Sequence, residues 1–176
     1  MGNQILQWSM FILPWLTLFF MKKEDIKRYM PVALFATVMS IIIHDVGVTL
    51  RFWTLGASVF PLNQLFPHDF GLMPVLTLWI FKLTYGRFWL YAVTNLILDI
   101  GFNFFFLNIF LRNNGIVDLL ISPLQELPIT LLLAVLIYFY QMWQEGIFTR
   151  AAAQAISSPN LQPAAAKPLD KDENKN

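Results

Sequence analysis

Three polar side chains at helical spacing interrupt a long apolar stretch of the sequence: Asn95, Asp99 and Asn103. Residues four apart lie on the same face of a helix. An ionisable side chain near the middle of a membrane costs about 2.5–3.5 kcal/mol to insert, so this face should point away from lipid. Three roles fit the pattern: hydrogen bonding between neighbouring helices, a proton or cation relay through Asp99, or binding of a lipid or peptide in the same groove.

Two His-Asp dipeptides, His44-Asp45 and His68-Asp69, form a second polar group, and Arg51 lies between them in the sequence. Two imidazoles and two carboxylates are a ligand set for zinc or manganese. Neither pair shows a ligand spacing such as His-x-x-x-His, however. We therefore expect a network in which Arg51 neutralises Asp45 or Asp69, and we predict neither a metal nor a cofactor.

The sequence shows no recognisable catalytic motif. It contains no G-x-S-x-G, no H-E-x-x-H, no P-loop and no dinucleotide fingerprint. It also contains no Cys, which excludes a thiol nucleophile and a disulfide framework. We predict that the protein is not an enzyme.

The composition is that of a membrane protein. Of the 176 residues, 57% are hydrophobic and 13% are charged, whereas a soluble domain is about 45–50% apolar and about 25% charged. The net charge of +1 is too balanced for a nucleic-acid-binding protein, which carries a basic patch. The lipid bilayer is therefore the first predicted partner.

Five apolar segments approach the length that crosses a membrane, about 17–25 residues. They are residues 5–21, 29–50, 70–85, 88–110 and 123–143. The third is the shortest and rises only about 24 Å as a helix. The predicted fold class is an all-α polytopic bundle of five transmembrane helices.

The basic residues predict the orientation, because cytoplasmic loops carry the excess of Lys and Arg. With the N-terminus outside and the C-terminus inside, only Arg51 and Arg112 of the twelve basic residues face outward. The basic residues that then lie inside are Lys22, Lys23, Lys27, Arg28, Lys82, Arg87, Arg150, Lys167, Lys171 and Lys175. We predict an N-out, C-in topology.

The segments outside the spans differ in character. Residues 51–69 are too apolar for a solvated loop and are expected to lie along the outer interface. Residues 1–145 form the predicted membrane domain, and residues 146–176 form a polar cytoplasmic tail that is expected to be disordered, because it has little apolar surface to bury.

Several motifs between residues 30 and 145 resemble those of an uncharacterised family of small membrane proteins from spore-forming Bacillus- and Clostridium-type bacteria, named after a clostridial hypothetical protein. They are Phe60-Pro61, Phe66-Pro67-His68-Asp69-Phe70, Pro74, the turn Tyr85-Gly86-Arg87-Phe88-Trp89 and an aromatic-rich span ending at Trp143. The resemblance implies about five helices in the membrane of a bacterial, sporulating cell. It implies no activity and no functional residues.

These observations favour a multi-pass protein of the bacterial inner membrane that serves as a non-enzymatic subunit, accessory or structural protein. Its protein partner would be a second copy of itself or another membrane subunit. One alternative is a small transporter or channel with Asp99 as the carboxylate that couples to a proton or cation. A second is a metal-dependent enzyme acting at the outer face.

Overall fold

The computed structural model describes residues 2–56 and 67–157, and these residues are mostly helical. The elements in chain order are α1 (Gly2–Leu16) with a 3-10 turn at Thr17–Phe20, α2 (Lys23–Thr49), β1 (Trp53–Leu55), α3 (Pro67–Phe70), α4 (Leu72–Thr84), α5 (Phe88–Ile100) with a π-helical continuation at Gly101–Leu111, β2 (Val117–Leu119) and α6 (Pro123–Ser157). The chain divides into a compact unit, residues 1–141, and a second unit, residues 142–176.

The helical fold class is confirmed, and each of the five predicted segments coincides with a helix. Within the described residues, three helices are long and apolar enough to cross a membrane: Lys23–Thr49, Phe88–Leu111 and Pro123–Gly146. The helix Gln4–Phe20 is apolar but shorter. α4 is shorter than the predicted third span, because Gly71 and the separate turn of α3 precede it.

Two short strands, which the all-α prediction does not include, are added to the mostly helical fold. β1 and β2 pair in antiparallel orientation, with Thr54 opposite Asp118. The ribbon is extended by the Gly56 amide, which donates to the Ile116 carbonyl, and by the Leu120 amide, which donates to the Phe52 carbonyl. Backbone hydrogen bonds therefore join the segment that follows α2 to the segment that follows α5. Residues 57–66, which include part of the predicted interfacial loop and the Phe60-Pro61 and Phe66 positions, lie outside the described residues.

The fourth predicted span, residues 88–110, is not a uniform α-helix. It widens to a π-helix at Gly101 and stays π-helical to Leu111. Phe102 stacks on Phe106 with ring centroids 5.2 Å apart, and Phe106 stacks on Phe110 at 5.5 Å. A row of rings at four-residue spacing thus follows the widened segment, a feature that the apolar pattern alone does not predict.

α6 continues beyond the predicted end of the membrane domain. It is helical to Ser157, so the helix includes residues 146–157 of the predicted tail. The run Ala151-Ala152-Ala153-Gln154-Ala155 has high helix propensity, and the next proline is Pro159, which disfavours the α conformation of the residue before it. The rest of the predicted tail, residues 158–176, lies outside the described residues.

The helix pair α2 and α4 forms the core of the first unit. The buried face of α2 consists largely of small side chains, which let another helix approach closely; they are Ala33, Ala36, Thr37, Ser40 and Gly47. Val75, Leu78 and Phe81 on α4 are also buried. α2 packs along α4 more extensively than any other described pair of elements.

Aromatic side chains close the bundle at the end where α4 joins α5, and we call them the tyrosine cluster: Tyr29, Phe81, Tyr85, Phe88, Tyr91 and Tyr138. The Tyr91 hydroxyl donates to the Ala134 carbonyl at 2.8 Å and thereby joins α5 to α6. Phe35 of α2 stacks on Tyr140 of α6 with centroids 4.1 Å apart. α6 thus contacts its neighbours here through long side chains rather than by close backbone approach.

The contact between Gly47 and Trp53 gives a test of the packing at the ribbon end. A Cβ atom at position 47 would overlap the Trp53 indole, so Gly47→Ala should displace that ring. We expect a loss of about 1–3 kcal/mol, measured as a lower melting temperature in detergent. Gly146→Ala is the matched control, because a Cβ there meets nothing within 4 Å. An unchanged melting temperature for Gly47→Ala would contradict this packing.

Candidate functional site

A buried carboxylate, Asp69, is the centre of a polar cluster where the end of α2 meets α3. The Ser40 hydroxyl donates to Asp69 Oδ1 at 2.6 Å. His44 Nδ1 lies 2.9 Å from Asp69 Oδ2, and His68 Nε2 lies 3.4 Å from Asp69 Oδ1. The side chains of Asp69 and His68 are only 2% and 8% exposed, so the cluster joins α2 to α3 inside the protein.

Burial decides the charge state of His68. It disfavours the imidazolium and lowers the pKa of His68 from 6.5 to about 4; His44 lowers the pKa further, whereas Asp69 opposes the shift. Burial alone would raise the pKa of Asp69, but His68, His44 and Ser40 together outweigh it and hold that pKa below its ordinary value. At neutral pH, His68 is therefore a neutral imidazole beside an ionised Asp69.

Aromatic rings pack against both histidines. Trp53 lies edge-on to His44 with ring centroids 5.5 Å apart, and Phe102 contacts His68 at 5.7 Å. The two imidazoles are 4.9 Å apart. The ribbon and the π-helix thus supply the apolar walls around a site whose polar groups come from α2 and α3.

The predicted outer cluster comes together only in part. His44, His68 and Asp69 meet, but Asp45 and Arg51 are exposed. Arg51 also has a left-handed backbone, with φ of 58°, at the turn that leads from α2 into β1. The expected role of Arg51 as the partner of Asp69 is taken by the two histidines, because the turn of α2 that faces α3 carries Ser40 and His44.

A cavity of about 410 Å³ extends from this cluster into the bundle. Ser40, His44 and His68 line one end, whereas Phe81 and Tyr91 of the tyrosine cluster line the wall farther along. Most of the remaining lining is apolar and comes from α4, α5 and α6. No lysine or arginine is among the described residues that line the cavity.

The polar stripe of α5 faces this cavity, as its helical spacing predicts: Asn95, Asp99 and Asn103 all line the wall. The Asn95 amide donates to the Tyr91 carbonyl of its own helix at 2.8 Å. Asp99 is within hydrogen-bonding reach of Thr130 on α6. Asn103 is 1% exposed, and neither polar atom of its side chain has a hydrogen-bond partner among the described residues.

Sequence reasoning did not identify Glu126 as a residue of this site. Its position in the first turn of α6 suggested only a favourable interaction with the helix N-terminus. In the fold, Glu126 lines the cavity and is 8% exposed, and it interacts electrostatically with His44 and Asp99. Its Oε2 atom and Asp99 Oδ2 have no hydrogen-bond partner among the described residues. A carboxylate in the first turn of an apolar helix was the available signal.

The cluster also offers metal ligands. One ligand atom each from His44, His68 and Asp69 lies within 4.8 Å of the other two. The two His-Asp pairs suggested a ligand set in the sequence, but no metal was predicted because 24 positions separate the two histidines and no ligand spacing joins them. Three of the four residues meet in the fold, and Asp45 does not. Their proximity is a product of the fold.

The low pKa of His68 predicts that acid destabilises the protein when metal has been removed by a chelator. Between pH 6.5 and about 4 the unfolded chain protonates His68, whereas the folded chain, in which Asp69 and His44 face this ring, does not. Stability present above pH 6.5 is therefore lost as the pH falls to 4, by about 3 kcal/mol. Melting temperatures at pH 7 and 4.5 measure it.

In His68→Gln the difference between the two melting temperatures should shrink, because the titrating group is gone. Ser40→Ala is the matched control: it loses one hydrogen bond to Asp69 at both pH values and should keep the full difference. If the melting temperature fell equally between pH 7 and 4.5 in the wild type and in His68→Gln, His68 would not be the group that makes the protein sensitive to acid.

Comparisons of this chain with models of protein families, with curated proteins and with solved structures gave no significant match. The resemblance to the family of spore-forming bacteria stays a prediction from the motifs quoted above. The function is therefore inferred from the geometry of the cavity.

Proposed function

We propose that this chain is a five-span protein of a bacterial cell membrane, N-out and C-in, that binds an amphipathic organic cation in its central cavity and moves it as a small transporter. Three helices are long and apolar enough to cross a membrane. α1 with its 3-10 turn and α4 are the two further spans of this proposal.

Exposed apolar side chains support the membrane location. They recur at three- or four-residue spacing along one face of each long helix: Leu34, Val38, Ile42 and Val46 on α2, Leu90, Val93 and Ile97 on α5, and Leu132, Leu136 and Phe139 on α6. Continuous apolar faces of this kind are unfavourable in water. In a bilayer they are the lipid-contacting surface.

The short length of α4 fits a span that is sheltered by its neighbours. Its 13 residues rise about 20 Å, less than the hydrocarbon thickness of about 30 Å. Six of them are buried: Pro74, Val75, Thr77, Leu78, Phe81 and Thr84. The length of a helix that is surrounded by protein need not match the thickness of the hydrocarbon layer, because other parts of the protein shield the ends of the helix from lipid.

Single cysteines test the topology, because the chain has none of its own. In intact cells, Asn113→Cys before β2 should react with a membrane-impermeant thiol reagent. Lys27→Cys in the basic first turns of α2 should react only after the membrane is permeabilised. Both native side chains are exposed, so burial does not hide either cysteine. Reaction of Lys27→Cys in intact cells would overturn the N-out assignment.

The observation that carries the binding proposal is the set of buried polar atoms on the cavity wall without a partner among the described residues: Asp99 Oδ2, Glu126 Oε2 and both polar atoms of Asn103. Buried carboxylates are costly unless a cation or hydrogen-bond donors compensate them. The described lining contains no lysine or arginine, and His44, which also lines the cavity, already contacts Asp69. The proposal therefore assigns the compensating positive charge to a ligand.

The size and lining of the cavity favour an organic cation over a bare proton or metal ion. A volume of about 410 Å³ lies in the range of small-molecule sites, about 300–1,000 Å³. Tyr91 and Phe102 also present aromatic rings, which attract organic cations. A proton relay would need the carboxylates but not the large apolar volume around them.

The geometry supports this function better than a purely structural role for the α5 stripe. Helix-to-helix hydrogen bonding predicts that the asparagines bond across to other helices. Of the three stripe residues, Asp99 reaches Thr130 of α6. Asn95 donates within its own helix, and Asn103 is unbonded among the described residues.

Uptake of benzyltrimethylammonium into proteoliposomes tests the proposal, because this permanent cation does not cross lipid unaided. The wild type should bind and transport it, and Asp99→Asn should weaken binding about 10- to 100-fold, the equivalent of one charge-assisted contact. Neopentylbenzene, the neutral isostere, should bind the two proteins equally.

Asp45→Asn is the matched control, because it removes an exposed carboxylate outside the cavity and should leave uptake unchanged. Each variant is compared only after its melting temperature shows that it is folded. Uptake by Asp99→Asn at the wild-type rate, or wild-type liposomes no more permeable than empty ones, would refute transport through this cavity.

A further inference from the structure

Both histidines of the chain converge on one carboxylate. The sequence contains two histidines in total, and folding places His44 Nδ1 2.9 Å from Asp69 Oδ2 and His68 Nε2 3.4 Å from Asp69 Oδ1. The cation site proposed above uses neither histidine. The pair therefore calls for a separate explanation.

We propose that His44, His68 and Asp69 bind one divalent transition-metal ion of the zinc class at the wall of the cavity. Ligand atoms bound at 2.0–2.1 Å to a tetrahedral zinc ion lie about 3.3 Å apart. The three ligand atoms here lie within 4.8 Å of one another. Small rotations of the two imidazoles therefore suffice to close the set around an ion.

The surroundings of the three ligands resemble those of a metal site. The Ser40 hydroxyl donates to Asp69 Oδ1 at 2.6 Å, a contact that orients the carboxylate from outside the ligand set. Trp53 and Phe102 pack on the two imidazoles and form the apolar shell that limits access of water to a bound ion.

The donor set determines the class of metal. Two imidazole nitrogens and one carboxylate oxygen suit zinc and its first-row neighbours, whereas magnesium and calcium prefer oxygen ligands alone. His44 and His68 line the cavity, whereas Asp69 does not. The fourth position of a tetrahedral ion would therefore open toward the cavity, the arrangement of a site with an exchangeable ligand.

Zinc titration of the full-length chain in nanodiscs, purified without a histidine tag, tests this site. Calorimetry and elemental analysis should give one tightly bound zinc ion per chain. His44→Gln and His68→Gln should each weaken binding by about 100-fold or more. Cobalt, used as a spectroscopic substitute, should give the visible absorption of a tetrahedral nitrogen and oxygen site.

Asp45→Asn is again the control, because it changes the residue next to His44 without touching the ligand set, and it should bind zinc like the wild type. Should the histidine variants fail to fold, the wild type still decides: zinc, but not magnesium, should raise its melting temperature in a concentration-dependent way.

Zinc binding far below one ion per chain would overturn the site, and Asp69 would then be compensated by the two imidazoles and the Ser40 hydroxyl alone. So would equal stabilisation by magnesium, or unchanged affinity in a folded histidine variant. Asp99→Asn should retain zinc, so failure of the cation site and failure of the metal site can be told apart.

Discussion

The close packing of α2 against α4 is the contact from which the rest of the structure follows. Small side chains on α2, among them Ala33 and Ala36, allow the two helices to approach. The same face of α2 continues through Ser40 and His44. The packed contact with α4 therefore ends in two polar side chains, and both contact Asp69 of α3. One helix face therefore supplies both the most extensive contact among the described elements and two of the partners of the buried carboxylate of Asp69.

The cavity exists because α5 and α6 pack less extensively against their neighbours than α2 packs against α4. α5 and α6 are joined through Tyr91 and the Ala134 carbonyl, and Phe35 reaches Tyr140 by ring stacking. Long side chains fill the space at the tyrosine cluster, but farther along α5 the side chains at the wall are Asn95, Asp99 and Asn103. The π-helical widening then adds Phe102 beside His68.

Burial shapes the electrostatics of this interior. His68 is kept neutral because it is enclosed, whereas Asp69 remains ionised because three side chains surround it. Asp99 and Glu126 have an oxygen atom without a partner in the described part of the chain. One end of the cavity thus holds the nitrogen and oxygen groups of the proposed metal site, and the wall beyond it holds the two carboxyl groups that the proposed organic cation would contact. The two proposed sites share a cavity and the Phe102 ring, but no residue that would bind either ligand by charge or coordination.

The sequence by itself determined the helical class, the position of each apolar segment and the face of α5 that points inward, because these depend on local hydrophobicity and on the spacing of residues along one helix. It could not show that β1 pairs with β2, that the helix widens at Gly101 or that α6 continues past residue 145. Nor could it show that Glu126 joins the α5 stripe, or that His44 meets His68 while Asp45 and Arg51 stay exposed. Those outcomes depend on which helix faces approach each other, and only the tertiary structure decides that.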